Sequence, residues 1–307
     1  MIETLQAKWE QRATVRSHPR IEFNPNISGY LFPISHQPLC LHPLVAELGD
    51  EAMQFLLIQS LYKYSNDIAL IETKIVCQSA LNITADRLSV IFPAEYKLNA
   101  FTVMTDEAYH AYVAFDAMQQ IQKFTRVEPV TLPKTIEIEV AIKKIKSKLA
   151  EKYHREFELI AVCLAENTLT KEIVTMTDQD ETHPFFQQII KEHLTDESRH
   201  CGYFQLVLTY LWQHLDSEAK AAIGLILADF IEAYLGVEVQ IEFMHRVLIA
   251  MGLGLEAARE ALADIYDGFK LTKNHPMIKN IIFQLQRTQV LDATVIPGFQ
   301  AKGWLCA

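Results

Sequence analysis

The sequence predicts an all-α fold in which four long helices form the core of a bundle and additional C-terminal helices support it. Apolar residues recur at the helical period from about Pro43 onward, and strand-like alternation is confined to short pieces such as Leu88-Ser89-Val90-Ile91-Phe92. Helix start and stop signals bound the long segments. The third observation is an internal repeat. Thr105-Asp106-Glu107-Ala108-Tyr109-His110 and Thr195-Asp196-Glu197-Ser198-Arg199-His200 share one pattern. Each is preceded by a Glu on an otherwise apolar segment, Glu72 after Ile68-Ala69-Leu70-Ile71 and Glu166 after Ala161-Val162-Cys163-Leu164-Ala165. A lone Glu from each of two helices plus Glu-x-x-His from each of two others is the set with which helix bundles hold two metal ions in their core.

The first 42 residues carry Pro19, Pro25, Pro33 and Pro38 without a sustained period, and read as a short N-terminal helix followed by an extended arm over the surface. Residues 43–214 hold the metal-binding helices, 44–82 with a break near Tyr64, then 94–126, 151–178 and 184–214, with one ligand group on each. Pro93 opens the second, Pro129 and Pro133 lie in the linker after it, and Thr182-His183-Pro184 gives the fourth a capping residue and a proline in its first turn. The segment Thr135 to Ala150 reads as a short amphipathic helix linking the two halves. Residues 215–307 supply supporting helices. The first is capped by Asp216-Ser217-Glu218 and runs to about Gly252, and two shorter ones follow near 255–270 and 276–290. No low-complexity tract or flexible linker interrupts the chain, so residues 1–307 read as a single domain. Apolar surface on the helices after 216 favours a homodimer.

The 307 residues are 50% hydrophobic and 21% charged, an ordinary composition for a globular core. A net charge of -10 argues against nucleic acid or an anionic membrane as partner, because phosphate binding needs clustered Lys and Arg. The basic run Lys143, Lys144, Lys146, Lys148 and Lys152 reads as a solvated helix face. Five cysteines without a C-x-x-C pair indicate neither a disulfide framework nor a thiolate metal site, which fits reduced cytoplasmic thiols. Met1-Ile2-Glu3-Thr4 lacks the basic-then-apolar order of a secretory signal. The most apolar stretch, Ala221 to Leu255, is interrupted by Asp229, Glu232, Glu238, Glu242 and Arg246, so no membrane span is expected and the predicted location is the cytoplasm.

Residues three or four apart share one helix face, so Glu107 converges with His110 and Glu197 with His200. His193 extends the second group to His193-x-x-x-Glu197-x-x-His200, with its three side chains within roughly 60° of one another. Carboxylates and imidazoles without thiolates suit iron best, with manganese or a mixed pair compatible with the same set. Four carboxylates offset the charge of two divalent ions, and without metal they repel one another in a buried site. Asp106 and Asp196 sit one residue off the ligand face, where each can accept the second ring N–H of a ligating histidine on the neighbouring helix. Asp196 is expected to hold His110, and Asp106 to hold His193 or His200. His154, His214 and His245 have no partner at ligand spacing, and Tyr109, Tyr112 and Tyr203 lie near the metal face, where core packing with a bonded hydroxyl is their expected role.

With Glu72, Glu107-x-x-His110, Glu166 and His193-x-x-x-Glu197-x-x-His200, over about half its length the chain resembles the diiron N-oxygenases related to p-aminobenzoate N-oxygenase, within the ferritin-like diiron carboxylate superfamily. The extra histidine four residues before the last Glu is the discriminating element. The resemblance implies Glu107 and Glu197 as bridging ligands and Glu72 and Glu166 as terminal ones, with His110 on one iron and His193 and His200 on the other. It implies O2-dependent oxidation of an amine through hydroxylamine toward nitroso or nitro products. The helix leading to Glu72 presents Tyr62, Tyr64, Asn66 and Asp67 with no Arg nearby, and Arg199 reads as pointing off the ligand face, so a carboxylate-bearing substrate lacks an evident cation. No nucleotide-binding glycine motif, flavin signature or iron–sulfur cysteine set is present, so electrons are expected from a ferredoxin or reductase. The alternatives are a diiron C–H hydroxylase or desaturase and an iron-storage bundle, the latter disfavoured by chain length.

Overall fold

A computed structural model describes residues 2–177 and 181–306. Its α-helices in chain order are α1 (Ile2–Arg12), α2 (Thr14–Ser17), α3 (Pro43–Ala46), α4 (Asp50–Ile71), α5 (Cys77–Thr84), α6 (Ala94–Thr125), α7 (Glu137–Lys146), α8 (His154–Met176), α9 (Pro184–His214), α10 (Ser217–Tyr234), α11 (Glu238–Ala250), α12 (Leu255–Tyr266), α13 (Pro276–Arg287) and α14 (Ile296–Ala301). A π-helical turn, Glu72–Val76, joins α4 to α5. Among the described residues no strand forms, and Tyr30 and Thr182 make an isolated bridge. Leu88, Val90 and Phe92 do point inward while Ile91 is 58% exposed, but Ser89 gives its N–H to the Glu156 carboxylate at 2.7 Å instead of to a neighbouring strand.

Four helices, α4, α6, α8 and α9, build the core, and their direction follows from the order of residues along them. The apolar interior is split into two clusters. One holds Val76, Val103, Ala165 and Tyr203, the other Tyr62, Ala117, Ile173 and Ile190. Between these markers lie Glu72 on the turn after α4, Glu107 and His110 on α6, Glu166 on α8, and Glu197 and His200 on α9. Helices α4 and α9 therefore run from the second cluster to the first, and α6 and α8 the other way. Two antiparallel pairs, α4–α6 and α8–α9, are joined by one long crossover that contains α7, the connectivity of ferritin-like bundles. The polar groups form a layer between two dry cores, so every charge in it must be matched inside the protein.

Several boundaries differ from the sequence expectation. The break in the first long helix falls at Glu72 and not near Tyr64. The polar run around Tyr64 interrupts the apolar pattern because Lys63, Tyr64 and Asp67 face a cavity, while the backbone there stays helical. The long helix expected from 216 to 252 is two, α10 and α11, divided at Leu235-Gly236-Val237. Gly236 is a poor helix former, and a Cβ there would lie 3.1 Å from the carbonyl oxygen of Ala233. Helix α14 is additional. The linking helix α7 buries Ile138, Ala141, Ile142 and Ile145, with Glu137 and Glu139 in its first turn and Lys143, Lys144 and Lys146 in its last, each sign at the favourable end of the helix dipole. Lys148 and Lys152 pair with Asp229 at 3.4 Å and Glu218 at 2.9 Å on α10.

Large exposed apolar side chains are not confined to the helices after 216, since α6 carries Leu98, Phe101, Tyr112, Phe115 and Phe124. Among the described residues no helix is long and apolar enough to cross a membrane.

Candidate metal centre

Helix periodicity brings the ligand-type groups to one point. On α9, His193, Glu197 and His200 fall at i, i+4 and i+7 on one face, and on α6 Glu107 and His110 do the same at i and i+3. Glu72 opens the π turn, a distortion found preferentially at functional sites because the extra residue re-aims the side chains that follow it. Glu72, Glu107, His110, Glu166, His193, Glu197 and His200 are all buried.

Two overlapping groups result, each with its ligand atoms within 4.8 Å of one another: Glu72, His110, His193 and Glu197 in one, and Glu107, Glu166, Glu197 and His200 in the other. Glu197 belongs to both, its Oε1 lying 3.3 Å from His193 Nε2, 3.5 Å from His110 Nδ1 and 3.0 Å from His200 Nδ1. Glu107 also spans them, with Oε1 3.1 Å from His200 Nδ1 and Oε2 3.6 Å from His110 Nδ1. Glu72 Oε1 sits 3.2 Å from His193 Nε2 and 3.6 Å from His110 Nδ1. The histidines divide differently from what the resemblance implied: His193 stands with His110, ring centroids 4.4 Å apart, and His200 is in the other group. The reason is the helix rise. Seven residues separate His193 from His200, about 10.5 Å along the axis, so they lie at opposite ends of the cluster with Glu197 between them.

Outside this layer, His110 Nε2 lies 3.1 Å from Asp196 Oδ2 and His200 Nε2 lies 3.1 Å from Asp106 Oδ2. Each aspartate accepts a ring N–H, which leaves Nδ1 of both histidines with its lone pair toward the cluster. Arg199 does point off the ligand face, but it is buried and ties the two aspartates together, Nη1 donating to Asp196 Oδ1 and Nη2 to Asp106 Oδ2, each at 2.7 Å. The N-terminal helices finish the network. Trp9 Nε1 donates to Asp106 Oδ1 at 2.8 Å, and the Thr14 hydroxyl donates a short hydrogen bond to Asp196 Oδ2. Trp9 and Thr14 carry no local sequence signal, being 97 and 182 positions from their partners. Arg199 did carry one, at i+3 from Asp196 on the same helix. Of the tyrosines, Tyr203 is buried with its hydroxyl on the Tyr96 carbonyl at 3.0 Å, and Tyr112 is 54% exposed.

The residues fit a pair of cations. Glu72 Oε2, Glu107 Oε1, His110 Nδ1 and Glu166 Oε2 are buried without a hydrogen-bond partner among the described residues. Orphaned acceptors of this kind are costly unless a cation completes them. Electrostatics agrees. Burial, then the charges of Glu197 and Glu107, push Glu166 well above the usual carboxylate range, and burial raises Glu72 against the pull of His110 and His193. Burial works against the charged histidines too, but the surrounding carboxylates prevail. His110 and His200 stand well above their ordinary value, and His193 is pushed up to about 9 by Glu197 and Glu72 despite burial and the His110 charge. Burial opposes the anion of Glu197, yet His200 and His193 hold it well below the usual range.

A pH dependence follows for the metal-free protein. A histidine raised on folding stabilises fully below its unfolded value of about 6.5 and loses that contribution as pH rises through the folded value, here about 9 for His193. The raised carboxyls of Glu166 and Glu72 act with the same sign, since the fold binds protons that the unfolded chain has released. The chelated protein should therefore melt at progressively lower temperature from about pH 6.5 to 9, and the metal-loaded protein should not, as read by circular dichroism.

The layer opens on a cavity of about 400 Å³ lined by Glu72, Glu107, Glu166, His193 and Glu197 at the cluster and by Ile68, Ile71, Ile136, Ile138, Ile173 and Met244 among its apolar walls. That volume suits a small organic molecule. A cationic side chain is present after all: Lys63 lines the cavity, buried and paired with Asp67. The fold and layer define the class, a ferritin-like helical bundle with buried Glu/His groups that could hold two metal ions. The model of the p-aminobenzoate N-oxygenase AurF family matches residues 1–278, and the chain belongs to that family. No curated protein matches the chain.

Proposed function

We propose that the protein is a non-haem diiron N-oxygenase that uses O2 and external electrons to convert an amine to a hydroxylamine, nitroso or nitro product. The observation that carries this reading is the pair of overlapping Glu/His groups facing a largely apolar cavity, in a chain of the p-aminobenzoate N-oxygenase AurF family. Glu72, His110 and His193 would hold one iron and Glu166 and His200 the other, with Glu107 and Glu197 shared between them. Manganese, alone or mixed with iron, suits the same donors. Bound iron would supply the reduction and activation of O2.

The chain's own residues do the rest. Asp106 and Asp196 fix the tautomers of His200 and His110, and Arg199 holds both aspartates in place. The isoleucines and Met244 give the cavity an apolar wall beside the cluster, against which an amine can lodge. Electrons come from a ferredoxin or reductase, the enzyme works in the cytoplasm as a single domain, and a homodimer is its assembly.

The test is product analysis with isotopically heavy O2 and a chemical reductant, using p-aminobenzoate and other aryl amines. Label on nitrogen is the expected result. Label on carbon would make the protein a hydroxylase, and an iron load of many ions per chain without product would make it a storage bundle.

A further inference from the structure

The cavity that opens on the cluster has a second polar feature, away from the metal-type ligands. Lys63 and Asp67 both line it, one helical turn apart on α4, with Lys63 Nζ donating to Asp67 Oδ2 at 2.5 Å. Asp67, to which Lys63 reaches, precedes Glu72 by five residues, about 7.5 Å along a helix axis, so the pair is set back along α4 from the ligands. Glu137 lines the same cavity. Among the described lining residues outside the Glu/His layer, Lys63 thus faces two carboxyls, Asp67 and Glu137, while burial pulls His36 toward its neutral form and also raises Asp67, against the pull of the Lys63 charge. Within the layer, the four carboxylates would balance two divalent ions. The cavity as a whole carries no surplus positive charge.

An ammonium has three N–H donors, and among the described residues the only hydrogen bond from Lys63 goes to Asp67. Other polar groups of the wall have partners of their own: Gln37 donates to Ser60 at 2.7 Å, Ser60 to the Leu56 carbonyl at 2.8 Å, and the Glu137 carboxylate accepts from the Gln240 N–H at 2.9 Å. A substrate carboxylate placed here would be a third acidic group around one cation, in a partly buried site where like charges repel more than in water. An uncharged acceptor such as an amide carbonyl takes the free Lys63 donors without that repulsion, and its N–H can reach Asp67.

We propose that the Lys63–Asp67 pair selects amine substrates whose distal group is uncharged and hydrogen-bonding, of the carboxamide type, over aminobenzoates. This rests on the amine N-oxygenase reading for the reacting end of the substrate and adds the class of its other end.

The test is titration calorimetry of the iron-loaded protein, without O2, against p-aminobenzamide and p-aminobenzoate. Wild type should bind the amide at least about tenfold more tightly, as expected where like charges are brought together. D67N leaves Lys63 unneutralised and should shift the preference about tenfold toward p-aminobenzoate, while K63M should weaken the amide about tenfold. Tighter binding of p-aminobenzoate by wild type, no measurable binding of p-aminobenzamide, or a preference that D67N does not move would overturn the proposal. The two readings separate cleanly. If the amide binds in this order and never gains oxygen on nitrogen, the N-oxygenase reading fails and the pocket assignment stands. If p-aminobenzoate is the tighter ligand and is oxidised, the reverse holds.

Discussion

Replacing Arg199 with leucine will cost the fold about 3–5 kcal/mol, the usual loss when one partner of a buried ion pair is removed. Arg199 is 8% exposed and gives one N–H group to each of two fully buried aspartates, Asp106 and Asp196. Without it, two carboxylates stay in a dry layer with His200, His110, Trp9 and Thr14 as their remaining partners. Lysine should recover only part of the loss, because a point charge cannot span both acceptors as a planar fork does. Guanidinium unfolding of the iron-loaded variants, followed by circular dichroism, reads the effect. A change below about 1 kcal/mol, the size of an exposed pair, would mean that the network is solvated and does not brace the site. The charge and hydrogen bonds of His110, the Thr14 hydrogen bond and the Arg199 charge keep Asp196 below its ordinary range although burial opposes them. Its contribution is therefore present above the unfolded value and lost only in strong acid.

Glu197→Ala will remove the ability to hold two ions together. Its Oε1 faces His193, His110 and His200 at 3.0 to 3.5 Å, and it is the one residue common to both groups. Iron content should fall from two per chain to one or fewer, and N-oxygenated product should disappear, with helix content unchanged. Asp106→Ala, which acts through His200, should lower iron affinity by about 10–100-fold and leave the stoichiometry at saturation intact. Elemental analysis after dialysis against graded chelator separates the two behaviours. Equal effects from both substitutions would refute this division of labour between Glu197 and Asp106.

The ligand-type residues and most helix spans were legible in the sequence because both are periodic features. Glu-x-x-His spacing fixes a helix face, and an acid inside an apolar run such as Ile68 to Ile71 stands out against its surroundings. Helix α9 begins and ends where its proline and capping signals put it. What the sequence hid depends on contacts far apart along the chain. The π turn at Glu72 answers to packing among helices, which no local pattern encodes. The division of the histidines required the rise of α9 to be set against the positions of Glu72 and Glu166. Trp9 and Thr14 reach the aspartates only because α1 and α2 fold back over α6 and α9. Two differences from expectation do have local signals. Gly236 marks the division between α10 and α11, and the charged pair Lys63 and Asp67 at i, i+4 marks a polar wall inside the bundle, not a break in it.

The most direct test of the two-metal centre is an anomalous difference map, measured at the iron edge, from crystals of protein grown with iron. Two peaks should appear, one against Glu72, His110 and His193 and one against Glu166 and His200, with Glu107 and Glu197 touching both. A single peak, a peak elsewhere in the bundle, or none at full iron supply would contradict a two-iron centre in this layer.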